Sequence, residues 1–250
     1  MHDCHIIDAV RTPRGAAKES GALHGVAPVE LLAGSLRALR ERTGLDTEQV
    51  CDAVFGCVTQ TGEQGGNIGK AASLLAGWSP HMSAVTINRF CASGLSAVNL
   101  ASLQARDADG LALAGGVEMM SRLPMFGDKP SYVVDKALAS TIGFVPPPWS
   151  SDLVATRHGY SRTDCDTYAA LSQSRALAAR EAGRARSMVP VTDAQGNILL
   201  AQDENIRAGN TMEKLASLRT VYEDGANGLD AWGLEREPAL GRIVHVHTAG

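Results

Sequence analysis

One cysteine in this 250-residue sequence stands where a thiol can do chemistry. Cys91 falls in Asn88-Arg89-Phe90-Cys91-Ala92-Ser93-Gly94-Leu95-Ser96-Ala97, where a strand end turns into a helix whose first residues are small. Small side chains let a backbone and a substrate come close. The unsatisfied N–H groups and dipole of a helix start favour a thiolate and can stabilise an oxyanion. The chemistry implied is nucleophilic attack, with an acyl group carried as a thioester. A free cysteine also serves as a small buried hydrophobe, so position alone leaves two readings, nucleophile or packing residue.

The remaining candidates are weaker. His245 and His247 alternate on one strand face, a geometry able to bind metal, but no Cys or acidic partner has suitable spacing, and no metal site is expected. The glycines from Gly62 to Gly69 do not follow the G-x-G-x-x-G order, which leaves a nicotinamide cofactor unsupported. Cys4, beside His5 in an apolar run, reads as core packing, and Cys51 and Cys57 lie in a β-rich run.

Positioning Cys91 requires a frame, and the first half of the chain spells one. Strand-like runs over Cys4–Val10, Val50–Val58, Ala84–Asn88 and Leu111–Ala114 alternate with helical patterns over Pro28–Thr43, Asn67–Ala76 and Ala92–Arg106. That alternation predicts βαβ units on a mainly parallel sheet. In the first helix Val29, Leu32, Leu36 and Leu39 keep helical spacing, charged residues take the other faces, and Gly44 supplies the stop. Beyond Ser121 the chain turns proline-rich with little periodicity, so a subdomain boundary is placed near residue 120. A capping box from Ser161 to Asp164 opens a helix running to Gly183; Ile198–Ile206 reads as extended and Asp224–Leu240 as a polar loop.

Composition removes several functional classes. A formal charge of −4 without basic runs gives no electrostatic case for nucleic acid. No stretch approaches the ~20 apolar residues of a membrane span, and the N-terminus does not read as a signal peptide. Five scattered cysteines, an odd number, argue for a reducing compartment; a cytoplasmic protein is expected.

The cysteine segment resembles the nucleophile motif of the thiolases, in which Asn-x-x-Cys-x-Ser-Gly precedes a helix. The likeness extends along the chain through Arg11-Thr12-Pro13 with Gly15 and through Gly115-Gly116-Val117-Glu118-Met119-Met120-Ser121. It continues in Ser161-Arg162, Asp164, Asp166, Tyr168-Ala169, Ser172, Ala176, Ala179, Gly183 and Val189-Pro190, and ends in Thr248-Ala249-Gly250. The resemblance implies a thiolase-like layered α/β fold, a mainly parallel sheet with helices on both faces, carrying a loop-rich α+β insertion subdomain. It implies domains at 1–120, 121–244 for the CoA-binding loop subdomain, and 245–250 as a returning strand. It also implies ping-pong acyl transfer between 3-ketoacyl-CoA and CoA, with coenzyme A as substrate, no permanently bound cofactor, and a homodimer or homotetramer.

Three CoA contacts follow from the same resemblance. Arg207, in Asn205-Ile206-Arg207-Ala208-Gly209, is similar to an arginine near the adenine; Lys214 stands where some relatives have a serine near the nucleotide; Ala249 resembles an alanine beside the pantetheine arm. Arg207 and Lys214 read without the resemblance as solvated surface side chains. Near Pro146-Pro147-Pro148-Trp149 the short-chain members have a His-Met pair that is lacking here, so Trp149 either shapes an acyl pocket or fills a loop core. The family's base, a cysteine in Cys-x-Gly-Gly-Gly, and its Gly-His-Pro histidine do not occur in the sequence. The expectation is therefore a fragment, a split subunit or a partial chain, without turnover by itself. A ketosynthase-type condensing enzyme and a non-catalytic truncated homologue binding CoA or a partner subunit are the alternatives.

Overall fold

Val50–Gly56 (β1) is the centre of the molecule's main sheet. In the computed structural model, which describes residues 3–108, 110–222 and 225–249, it pairs in parallel with Ser83–Ile87 (β2) on one side and Leu111–Gly116 (β3) on the other. A strand covered on both faces must be apolar on both, and from Ala53 to Gly56 every residue of β1 is buried. Ala53 and Phe55 face Pro28–Thr43 (α1) and Ile68–Leu75 (α2) in a cluster with Leu32, Ala33, Leu36 and Ala72. Val54 faces Ser93–Ala108 (α3), where Ala97 and Ala101 meet it. The expected helices and the strands from β1 to β3 form within a few residues of their predicted bounds. In α1 the buried Leu32 and Leu36 keep the i, i+4 spacing, and Gly44, in the left-handed region at φ 65°, closes the helix by donating its N–H to the Arg40 carbonyl.

Close approach fixes one glycine. A Cβ at Gly56 would lie 2.7 Å from the Ser93 carbonyl carbon and 2.8 Å from the Gly94 nitrogen. The end of β1 therefore touches the start of α3, the helix that follows Cys91.

The chain divides into two compact units, residues 1–128 with 186–205, and residues 129–185 with 206–250. Residues 186–205 belong to the first unit for identifiable reasons. Arg11 exchanges backbone hydrogen bonds with Ser187 and Val189, and its guanidinium grips Asp203 at 2.7 and 2.9 Å, which holds that carboxyl below the usual carboxylate range. The short hairpin of Val191–Thr192 (β4) and Ile198–Leu200 (β5) packs Val191 and Leu200 with Leu23 and Met119. Where the sequence suggested extension from Ile198 to Ile206, only Ile198–Leu200 is a strand and turns follow.

Among its described residues the second unit is helical: Ser131–Val134 (α4), Lys136–Ile142 (α5), Pro147–His158 (α6), Arg162–Glu181 (α7), Met212–Ala216 (α8) and Leu229–Arg236 (α9). The capping box of Ser161 and Asp164 opens α7. Trp149 is wholly buried with Ala226 and Ile243, edge-on to Trp232 with ring centroids 5.9 Å apart, so it fills a core and does not wall an acyl pocket. The stretch expected to be loop, 224–240, holds α9. Its helix was hidden because it is two turns long and buries only Gly233; a Cβ there would lie 2.7 Å from the Trp149 ring.

Two further expectations are corrected. Cys4–Val10 forms no strand, and Cys4, His5, Ile6 and Ile7 are exposed, so Cys4 is not core packing. A strand-like run gives a strand only where a neighbour offers its ladder, and here only Arg11 finds one, at Met188. A cavity of about 1130 Å³ lies between residues 3–12 and the apolar side chains of α1, α3 and β3; Cys91 does not line it. Likewise His245 and His247 sit in no strand. No helix among the described residues is long and apolar enough to cross a membrane.

Candidate active site

The carboxyl ends of parallel strands are where α/β sheets present their chemistry, and here three successive ends carry the residues of interest. The turn after β2 holds Cys91. Asn88 Oδ1 accepts the Phe90 N–H at 2.8 Å; Ser93, itself buried, donates its hydroxyl to the Phe90 carbonyl at 2.6 Å and accepts the Arg89 N–H at 2.8 Å. Phe90 is thereby held at φ 47°, a conformation that costs a bulky residue about 1–3 kcal/mol. The next residue, Cys91, is left exposed, two positions before α3. Of the two readings open from sequence, the buried packing cysteine is not what the fold contains. The Ala92 and Ser93 amides already donate to the Arg89 and Phe90 carbonyls, so these two are committed to the turn and not to an oxyanion.

At the neighbouring strand ends lies a polar network in which the carboxylate, Glu118, is exposed while Gln64 and Thr59 are buried. Glu118, just after β3, accepts the Val58 N–H at 2.8 Å, the Thr59 N–H at 3.3 Å and the Gln64 side-chain amide at 2.8 Å. Gln64 is fully buried and accepts the Met119 N–H at 2.6 Å. Burial pushes the adjacent Cys57 thiol up to about 11, with the Glu118 charge adding to it, so Cys57 stays protonated and inert beside an exposed Cys91.

Arg207, Lys214 and Ala249 all belong to the second unit, Cys91 to the first. Arg207 is exposed, its backbone N–H held by Gln173 of α7 at 2.9 Å. Lys214 is exposed on α8, where Thr211 caps its amide. Ala249 is exposed and follows Thr248, which bridges Thr220.

The segment leading to Ala249 is held by a group that sequence reading missed. Asp152 of α6, fully buried, accepts the Val246 and His247 N–H groups at 2.9 and 2.8 Å through one oxygen. Its other oxygen lies 2.8 Å from His245 Nδ1, while Asp230 lies 2.9 Å from His245 Nε2. An acceptor facing each ring nitrogen favours the doubly protonated ring, the imidazolium. Desolvation pulls its pKa down, but the two carboxylates outweigh it and the net shift is upward. The aspartates grip opposite nitrogens and share no common point, and no group of three potential ligands among the described residues is placed to hold a metal. A signal existed for Asp152: it shares the buried face of α6 with Trp149 and Ala155, where a carboxylate must find donors. Nothing comparable announced its partners, 93 to 95 residues away.

Fold and turn together define a layered α/β protein with an exposed cysteine at the carboxyl edge of its parallel sheet. The family described as thiolase, N-terminal domain, matches residues 4–228. The chain is 38% identical to the beta-ketoadipyl-CoA thiolase of Pseudomonas putida, over 88% of this chain and 60% of the relative. It is 35% identical to the 3-ketoacyl-CoA thiolase of Aeromonas salmonicida, over 99% and 69%, and 37% to that of Colwellia psychrerythraea, over 91% and 60%. The chain thus belongs to the thiolase family, and it spans roughly 60–69% of the length of these relatives.

Proposed function

We propose that the protein is an acyltransferase of the thiolase type that moves an acyl group between 3-ketoacyl-CoA and CoA through a thioester on Cys91. The observation that carries this is the exposed Cys91 on its braced turn at the carboxyl edge of the sheet, in a chain of this family. Covalent catalysis divides a carbon–carbon exchange into two steps. In thiolysis the Cys91 sulfur bonds to the 3-keto carbon, the C2–C3 bond breaks, and its electron pair leaves on C2 as the enolate of acetyl-CoA, which takes up a proton. CoA thiolate then attacks the thioester, releasing the shortened acyl-CoA and freeing Cys91. In reverse the same steps make a Claisen condensation. The acid and base of these steps are not assigned to this chain, whose sequence contains neither Cys-x-Gly-Gly-Gly nor Gly-His-Pro.

Arg207, Lys214 and Ala249 are proposed CoA contacts; both side-chain cations are exposed and able to meet phosphate. Self-association as a homodimer or homotetramer is supported by exposed Phe90 after β2 and exposed Leu95, Val98 and Leu103 on α3. Five unpaired cysteines support a reducing compartment, the cytoplasm. The relatives' names carry two substrates, so the acyl chain stays general here.

Thiolysis of acetoacetyl-CoA by the natural gene product, followed through loss of the enolate absorbance, tests the reading. Cys91→Ser is expected to lower the rate at least about a thousandfold. A serine variant keeping more than about a tenth of the wild-type rate contradicts it.

A further inference from the structure

We propose that Glu118 is a positioning residue for Cys91, acting across the whole width of the sheet. The inference rests on the reading of Cys91 as the nucleophile. The strand order is β2-β1-β3, so the ends that carry Cys91 and Glu118 are separated by the end of β1. A continuous hydrogen-bond path crosses it. Glu118 accepts the Val58 and Thr59 N–H groups in the segment after β1. The Val58 carbonyl accepts the Asn88 side-chain N–H at 3.2 Å, in the segment after β2. The same Asn88 side chain, through its oxygen, accepts the N–H of Phe90, the positive-φ residue next to Cys91.

The direction of each bond makes the path depend on a carboxylate. Three donors point at Glu118: two backbone amides and the Gln64 side chain, whose own oxygen is taken by Met119. An ionised carboxylate is acceptor-only and satisfies all three, whereas a glutamine of the same shape turns an N–H toward one of them. Segment 57–59, which supplies two of the three donors, then loses part of its anchor. Its Val58 carbonyl is the contact that orients Asn88, and Asn88 orients the Phe90 amide. Phe90 keeps its left-handed backbone only while its surroundings over-determine it.

The test uses the natural gene product, with steady-state thiolysis measured on folded protein, the folded state checked by circular dichroism. Glu118→Gln is expected to lower kcat tenfold or more while KM for the acyl-CoA stays within twofold. Asn88→Ser cuts the path in the middle: a serine oxygen can still accept the Phe90 N–H but does not reach the Val58 carbonyl. The same loss in kcat with unchanged KM is expected, and if Glu118→Gln does not fold, Asn88→Ser decides. Wild-type kcat in either folded variant, or a loss confined to KM, overturns the proposal. Turnover by Cys91→Ser places the failure in the nucleophile reading; an inactive Cys91→Ser beside a wild-type Glu118→Gln places it in the role of Glu118.

Discussion

Glu118 in the first unit and Asp152 in the second solve the same problem with different partners. Each is a carboxylate that accepts two backbone N–H groups from a distant loop and one side-chain donor. At Glu118 the side-chain donor is the neutral amide of Gln64. At Asp152 it is His245, whose ring is also held by Asp230. The difference teaches that one anchoring device can be built around a neutral amide donor or around a titratable ring. The amide version stands beside the proposed nucleophile. The version with the ring holds the segment leading to Ala249.

Removing the acceptors should show the comparison at full size. Asp152→Ala leaves a buried and a part-buried N–H group and the His245 ring without their carboxylate, and a loss of about 3–5 kcal/mol is expected in urea unfolding. A loss under about 1 kcal/mol would show that the buried carboxylate carries little. Glu118→Gln keeps shape and changes one acceptor into a donor at an exposed side chain, so a smaller loss of about 1 kcal/mol is expected beside the fall in kcat.

The smallest effect is the pH dependence. The folded-state pKa of His245 is raised above its ordinary value of about 6.5, so its contribution to stability is complete below that pH and is lost as pH rises through the raised value. Melting followed by tryptophan fluorescence, with Trp149 bonded to Asp230 as reporter, should show stability falling as pH rises through that interval. His245→Gln should flatten the profile, whereas Glu118→Gln should leave the slope unchanged. A slope that survives in His245→Gln assigns it elsewhere.

What was legible in the sequence was local. The Cys91 turn showed itself through a strand end followed by small residues, α1 through its apolar spacing and Gly44, and α7 through its capping box. What was hidden depended on partners distant in sequence. Glu118 could be quoted as part of a motif, but its role lay in amides 59 and 60 positions away. His245 read as a strand histidine without partners, and the aspartates that take both its ring nitrogens lie 93 and 15 residues away. Cys4–Val10 had the pattern of a strand without a neighbour to pair with, and residues 186–205 gave no hint that Arg11 and Asp203 would bind them to the first unit.

The central claim is that Cys91 carries the acyl group. Brief reaction of the natural gene product with acetyl-CoA or acetoacetyl-CoA, acid quench and peptide mass spectrometry test it directly. The account predicts an acetyl mass increment on the peptide containing Cys91, discharged by added CoA, with Cys4, Cys51, Cys57 and Cys165 unmodified. An acyl group on another cysteine, or none on Cys91, would contradict it.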